Sequence, residues 1–197
     1  MSLANSLSNS EIKFINVSEL GNLDDYQAFD CKPKNDQLLA QKDIETYEEI
    51  NNFIADDAIS MSVNNLTQTY VLTVEKEIIA YCSMFADSVQ LGSKYKRSKE
   101  VVNSDRVSSY PAISIMYFGV NNKYQGNNYG KLLMSYIFEQ IHQLSFFVGI
   151  TLIQVHALES AVDFYKKQGF DVYGAHKQIK NIEALAITLK EVEDMLL

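Results

Sequence analysis

YFGVNNKYQGNNYGK, running from Tyr117 to Lys131, decides how this chain folds. It closes a nearly continuous apolar run, Ala112 to Val120 (AISIMYFGV), which suits a buried central strand. Asn121 to Asn128 is dense in turn residues. From Tyr129 to Leu144 a helix is expected, with Leu133, Ile137, Ile141 and Leu144 on one face. A buried strand thus runs into a Gly/Asn-rich turn, and the turn opens an amphipathic helix. The free N–H groups of that first helical turn, together with the helix dipole, form an anion site. Gly126 and Gly130 let the backbone approach a ligand closely, and Asn127 and Asn128 tolerate positive φ. The expected ligand carries a phosphate or pyrophosphate, with Lys131 adding a cation at the rim.

Two phosphate-binding motifs fail here. A Walker A loop needs four residues between its first Gly and its Gly-Lys pair, but Gly126 and Gly130 are separated by three. Leu132 also stands where that motif needs a magnesium-binding Ser or Thr. The dinucleotide fingerprint needs GxGxxG, and Asn128 stands two residues after Gly126. A nucleotide-binding function on this loop is therefore a poor reading.

Outward from the loop, helices and strands alternate. Thr151 to His156 reads as a strand and Ser160 to Gln168 as a short helix ended by Gly169. Phe170 to Tyr173 and Ala184 to Leu189 read as closing strands. Upstream, Glu11 to Val17 reads as a first strand and Asp43 to Met61 as a helix, with Ile44, Tyr47, Ile50, Ile54 and Ile59 at helical intervals. Tyr70 to Val74 and Glu77 to Phe85 read as an antiparallel hairpin turning at Lys76 and Glu77. Gly92 to Ser109 is polar and reads as a loop or a short helix with flanks. This alternation implies a mixed α/β sheet with helices on both faces.

Composition narrows the class. A chain of 197 residues with 47% hydrophobic residues can build one α/β domain. Cys31 and Cys82 lie far apart, so neither a disulfide framework nor a zinc site is expected, and no metal is. No apolar run reaches the roughly 18 residues of a membrane span, so no membrane partner is expected. Met1 to Ser10 lacks the basic and apolar regions of a signal peptide, and the expected compartment is the cytoplasm. Residues 1–60 hold twelve acids and four bases, a balance of −8 that equals the charge of the whole chain. Residues 61–197 are neutral. The local basic cluster, Lys94, Lys96, Arg97 and Lys99, is small. From these counts nucleic acid is not expected as a partner. A homodimer is compatible with the sequence.

Thirty residues after Lys131 begins AVDFYKKQGF, Ala161 to Phe170. With it the sequence resembles the GNAT superfamily of N-acetyltransferases. Gln125-x-x-Asn128-x-Gly130 is similar to that family's Arg/Gln-x-x-Gly-x-Gly/Ala loop, and AVDFYKKQGF to its A-x-x-F-Y-x-x-x-G-F segment. The resemblance covers residues 112 to 190, and Asn128 departs from the family's Gly. It implies a mixed, mostly antiparallel central sheet flanked by helices on both faces, with splayed central strands. It implies one domain over 1–197, with acceptor-side elements in 1–110 and an acetyl-CoA-binding core in 111–190. Acetyl-CoA is the implied cofactor. Backbone groups near Phe118 and Val120 would bond the thioester and the pantetheine arm. Gln125, Gly126, Asn128, Tyr129, Gly130 and Lys131 would hold the pyrophosphate. Tyr165 would protonate the departing thiolate, a role that suits a phenol with an ordinary pKa of about 10.

The general base is not legible. Many family members carry Glu on the central strand at the position of Ser114, and no carboxylate lies between Ala112 and Val120. His156 is a candidate, although a structural histidine fits there as well. With no base, activity should rise toward the acceptor's own pKa. The implied acceptor is a primary amine of a small molecule, peptide or protein. A second resemblance competes with it. Phe29-Asp-Cys31, Thr69-Tyr-Val-Leu-Thr73 and Ile79-Ala-Tyr81 loosely resemble the GNAT subgroup of acetyltransferase toxins, which act on aminoacyl-tRNA. A non-catalytic CoA-binding module is the remaining alternative, favoured by Ser114 and Asn128 and opposed by Tyr165 and Gly130-Lys131.

Overall fold

A computed structural model describes residues 11–34, 41–101, 107–175 and 182–197. Met1 to Ser10 and part of the polar segment, residues 102–106, lie outside them. The strands are β1 (Lys13–Asn16), β2 (Gln68–Val74), β3 (Glu77–Val89), β4 (Tyr110–Val120), β5 (Leu152–Leu158), β6 (Asp171–Ala175) and β7 (Ile182–Thr188). The helices are α1 (Gln41–Asn52), α2 (Ala58–Val63), α3 (Ser93–Ser98), α4 (Tyr129–Ser145), α5 (Val162–Lys167) and α6 (Leu189–Leu196). The strand order is β1-β2-β3-β4-β5-β7-β6. β4 and β5 run parallel, whereas β1–β2, β2–β3, β5–β7 and β6–β7 are antiparallel. The sheet is thus mixed and mostly antiparallel, as expected.

The chain packs as two units, one of residues up to Met84 with Tyr117–Tyr136, the other of Phe85–Met116 with Ile137–Leu197. In the first unit, α1 and α2 cover one face of β2 and β3. Their core joins Val17, Cys31, Ile50, Phe53, Ile54, Ala58, Val71, Ile78 and Tyr81. Tyr81 is fully buried, and its hydroxyl donates to Ile50 O at 2.6 Å, which satisfies a group that would otherwise be costly to desolvate. On the other face, the ring of Phe14 stacks on Tyr70 and on Tyr136 of α4, with centroids 5.1 and 4.7 Å apart. Helices therefore lie on both faces of this unit. Between α1 and α2, Phe53–Asp57 winds as a π-turn, so the continuous helix read over Asp43 to Met61 carries one wide turn in its middle.

In the second unit, Ala112, Leu152 and Ala186 share a face with Val89, Leu91 and Tyr110, and Tyr95 of α3 packs on it. The Tyr95 hydroxyl donates to Ala186 O at 3.0 Å. Phe138 of α4 stacks on Phe170, and Tyr165 of α5 meets Phe170 edge-on. The β4–β5 ladder covers Ala112 to Ile115 against Leu152 to Val155 and ends there, although both strands run on.

Two expectations need correction, and one element adds to them. The hairpin turns at Glu75 and Lys76, Glu75 taking φ +52°, and Glu77 already belongs to β3. Leu133, Ile137 and Ile141 are buried, but Leu144, next to the last residue of α4, is 42% exposed. The closing helix α6 was not expected. Its start is written in the sequence, since Thr188 and Glu191 form a reciprocal capping box.

Candidate active site

The loop after β4 is fixed by its own side chains and by the segment Gln27–Lys32, all within the first unit. Asn121 is buried and donates its N–H to Ile79 O at 2.8 Å. Asn122 grips Asp30 twice: its N–H donates to Asp30 O at 2.7 Å and its side-chain amide to Asp30 Oδ2 at 2.8 Å. The Asp30 carboxylate also accepts from Lys32 N and Asn51 Nδ2. Gln125 Nε2 donates to Cys31 O at 2.7 Å and to Val120 O at 3.0 Å. The Gln125 side chain is therefore a tie between strand end and N-terminal segment, leaving the backbone to face a ligand. Asp30 is a residue that sequence reading could not assign, because its partners lie 21 and 92 positions away.

Gly119 explains how the segment fits. A Cβ at this position would sit 3.1 Å from Phe29 Cζ and 3.2 Å from Ile50 Cγ2. Gly119→Ala should therefore cost about 1–3 kcal/mol, the usual range for an overpacked site. A urea melt that matched wild type would show that Phe29 gives way freely.

Beyond this tie the loop is open to solvent. Gly126, Asn127, Asn128 and Lys131 are exposed, and Gln125, Tyr129 and Gly130 are partly so. Gly126 takes φ +80° and Asn128 φ +64°, so both residues adopt the left-handed turn read from their types. Asn replaces Gly at 128 without leaving that conformation. Leu132 N makes the first helical bond, to Asn128 O at 3.0 Å, so the N–H groups of Tyr129, Gly130 and Lys131 precede it and point out of the helix. A pyrophosphate fits such an opening: three aligned donors, a dipole end and one exposed ammonium. Phe118 and Val120, both half-buried, close β4 just before the turn.

The rim is braced by Glu77. Its carboxylate accepts from Lys123 Nζ at 2.8 Å and from the Tyr124 hydroxyl at 2.7 Å, and Tyr124 stands edge-on to Tyr129. Burial pushes the Glu77 carboxyl up, but the Lys123 and Tyr124 hydrogen bonds and the Lys123 charge outweigh it and hold it below 4.5. Burial and the neighbouring Glu77 raise Tyr124 to about 12. A depressed carboxyl stabilises the folded state above its unfolded value, and that stability is lost as pH falls through the folded value. The stability gap between wild type and Glu77→Gln should thus be present above pH 4.5 and shrink in more acid solution. A gap independent of pH would remove Glu77 from the brace.

Tyr165 belongs to the second unit. It lies on α5, buried, with its ring edge-on to Phe164 and Phe170. Gly169, at φ +90°, ends the helix, and Phe170 N and Gln168 N both return to Tyr165 O. The structure thus gathers Phe118, Val120, Gln125, Gly126, Asn128, Tyr129, Gly130 and Lys131 in one unit and places Tyr165 in the other. His156 is exposed on β5. Cys31 and Cys82 are buried free thiols, and burial raises both, Cys31 to about 12. Among the described residues no cluster suits a metal ion, and no helix is long and apolar enough to cross a membrane.

Residues 65–172 match a protein-family model described as an acetyltransferase (GNAT) domain. No curated protein matches the sequence. Solved structures share the fold at low identity. The toxin AtaT complexed with acetyl-methionyl-tRNAfMet is 22% identical, with a TM-score of 0.70 over 95% of this chain and 100% of that one. A Tyr-to-Phe mutant of AtaT, bound to acetyl-CoA and the C-terminus of the antitoxin AtaR, is 20% identical, with a TM-score of 0.64 over 96% and 99%. The KacTA–DNA complex is 17% identical, with a TM-score of 0.65 over 94% and 98%. These findings overturn the expectation that nucleic acid is no partner. A net charge cannot decide the point, because the acidic excess is confined to residues 1–60, while Lys94, Lys96 and Arg97 cluster on α3.

Proposed function

The chain belongs to the GNAT acetyltransferase family, and on that premise we propose that it moves the acetyl group of acetyl-CoA onto the amino group of an aminoacyl-tRNA. The observation that carries the acetyl-CoA half is the open helix start at Tyr129–Lys131, preceded by Gly126 and Asn128 in left-handed turns. In this reading those N–H groups hold the pyrophosphate, with Lys131 at the rim. Backbone groups at Phe118 and Val120 orient the pantetheine arm, and the thioester supplies the activated acetyl group. The Tyr165 hydroxyl gives its proton to the departing sulfur.

The acceptor half rests on the kinship of fold with AtaT, whose complex contains acetyl-methionyl-tRNAfMet. α3 offers the cations that such an acceptor needs. Lys94 and Arg97 are exposed, and Lys96 lies over the Tyr110 ring at 5.9 Å. Lys99 is already committed to Asp171 and Glu191. The deciding experiment incubates the protein with labelled acetyl-CoA and charged tRNA beside a panel of free amines. Label on charged tRNA, lost on deacylation, is the expected result. Label on free amines alone would replace the acceptor and keep acetyl transfer. Affinity for tRNA should fall with salt, and Lys94→Ala with Arg97→Ala should flatten that slope by about one unit per lost phosphate contact. An unchanged slope would clear α3 of the role.

A further inference from the structure

The family's usual base position holds Ser114, and this serine is not alone. Its hydroxyl donates at 2.6 Å to Oδ2 of Asp87, a carboxylate near the end of β3. Gln154 Nε2 donates to the same oxygen at 2.7 Å and also to Ser114 Oγ. The Tyr173 hydroxyl donates to Gln154 Oε1, and Ser88 N–H donates to Asp87 Oδ1 at 2.7 Å. The result is a row of polar side chains from β3, β4, β5 and β6 on one face of the second unit's sheet. Its direction is uniform, since each donor points along the row toward Asp87. Ser114 and Gln154 are buried, whereas Asp87 is half-exposed. The row therefore ends in a charged group that solvent can reach.

Its position matters as much as its chemistry. Ser114 pairs with Gln154, and the parallel β4–β5 ladder ends one rung later at Ile115 and Val155. Ligands of open α/β sheets bind at the carboxyl ends of parallel strands. Met116, two residues beyond Ser114 on the same face, is 41% exposed, and Phe85, Ala86 and Ser88 beside Asp87 are exposed as well. The face is thus open to solvent beside Asp87 and Met116. Other titratable groups on this face are Tyr95, Tyr110, Tyr173 and, by strand pairing and alternation, Asp171 and His156; Lys96 lies over the Tyr110 ring, and Lys99 is paired with Asp171 and Glu191.

We propose that Asp87, held by Ser114 and Gln154, is the carboxylate that binds the acceptor's ammonium and takes its proton. The inference rests on the acetyl-transfer reading above, but not on the identity of the amine. The acceptor R–NH3⁺ gives one proton to Asp87 and becomes R–NH2. The nitrogen lone pair attacks the acetyl carbonyl carbon, the N–C bond forms, and the C–S bond breaks. The sulfur takes a proton from the acid, the second N–H proton restores that acid through solvent, and Asp87 releases its proton to water. The amide, the free thiol and one proton are the products.

The test compares wild type with Asp87→Asn, Ser114→Ala and the exchange variant Asp87→Ser/Ser114→Asp, using methionyl-tRNA and butylamine as acceptors. CoA affinity and melting temperature are measured on each. Asp87→Asn should keep CoA affinity and lower kcat/KM about 10²-fold or more. Its rising pH limb should move up to the acceptor's own pKa, whereas wild type stays active below it. The exchange variant returns a carboxylate to the same hydrogen-bonded pair and should recover at least tenfold. Ser114→Ala, which removes a positioning hydroxyl, should fall between them. Wild-type kinetics in Asp87→Asn, or a limb that moves instead in His156→Ala, would overturn the proposal. If wild type acetylates neither acceptor, the acetyl-transfer reading fails by itself. Calorimetry of butylammonium then decides this one: weaker binding to Asp87→Asn upholds it, and equal binding ends it.

Discussion

Tyr165→Phe is expected to lower kcat by about 10²–10⁴-fold, the usual loss for a positioned general acid. The substitution removes one oxygen and keeps the ring. Tyr165 is buried, and its ring packs edge-on against Phe164 and Phe170. Its backbone carbonyl, which caps the α5 end through Gln168 and Phe170, is untouched. The variant should keep this packing, and if the hydroxyl is a proton donor it should bind CoA as wild type does. A selective loss of turnover separates a proton donor from a packing aromatic. Equal kcat in the variant would show that the thiolate leaves without this hydroxyl, and a loss of CoA affinity would show that Tyr165 binds rather than reacts.

What the sequence made legible was local. Tyr117 to Lys131 declared a strand, a turn and a helix start because each signal lies within a few residues: apolar run, Gly and Asn at left-handed positions, apolar stripe. The structure places Gly126 and Asn128 at the positive φ values their types suggest. Gly169 likewise ended α5 where a C-cap glycine was expected. What stayed hidden depends on residues far apart in the chain. Asp30 and Asn122 are unremarkable singly, yet together they pin the loop to the N-terminal segment. Ser114 looked like a missing base because only its own strand could be read. The carboxylate lies 27 positions earlier, and only the sheet brings it to the serine. Net charge misled for a related reason: it sums over the chain, whereas a polyanion meets only the patch in front of it.

Gly130→Asp should remove most CoA binding while leaving the fold intact or slightly firmer. Gly130 is the second residue of α4, a helix of 17 residues whose first N–H groups lie ahead of its internal bonds. A carboxylate in a first helical turn is favourable to the helix, by about 0.3–1 kcal/mol, because it meets the positive end of the dipole. It also replaces glycine with a residue of better helix propensity. The same carboxylate would occupy the space and the charge that the pyrophosphate needs. Two like charges about 4 Å apart at an effective dielectric near 20 repel by about 4 kcal/mol, which corresponds to roughly a 10³-fold loss. Wild type should bind CoA in the micromolar range, about −8 kcal/mol, so the variant should fall to millimolar. Gly130→Asn separates bulk from charge, since it adds the same volume without the anion and should lose less. Added salt screens the repulsion between exposed charges, so the gap between the Asp and Asn variants should narrow as ionic strength rises. Calorimetry of the three proteins at two salt concentrations measures both effects. An Asp variant that binds CoA as tightly as wild type would move the pyrophosphate away from the start of α4 and take the cofactor assignment of Gln125 to Lys131 with it.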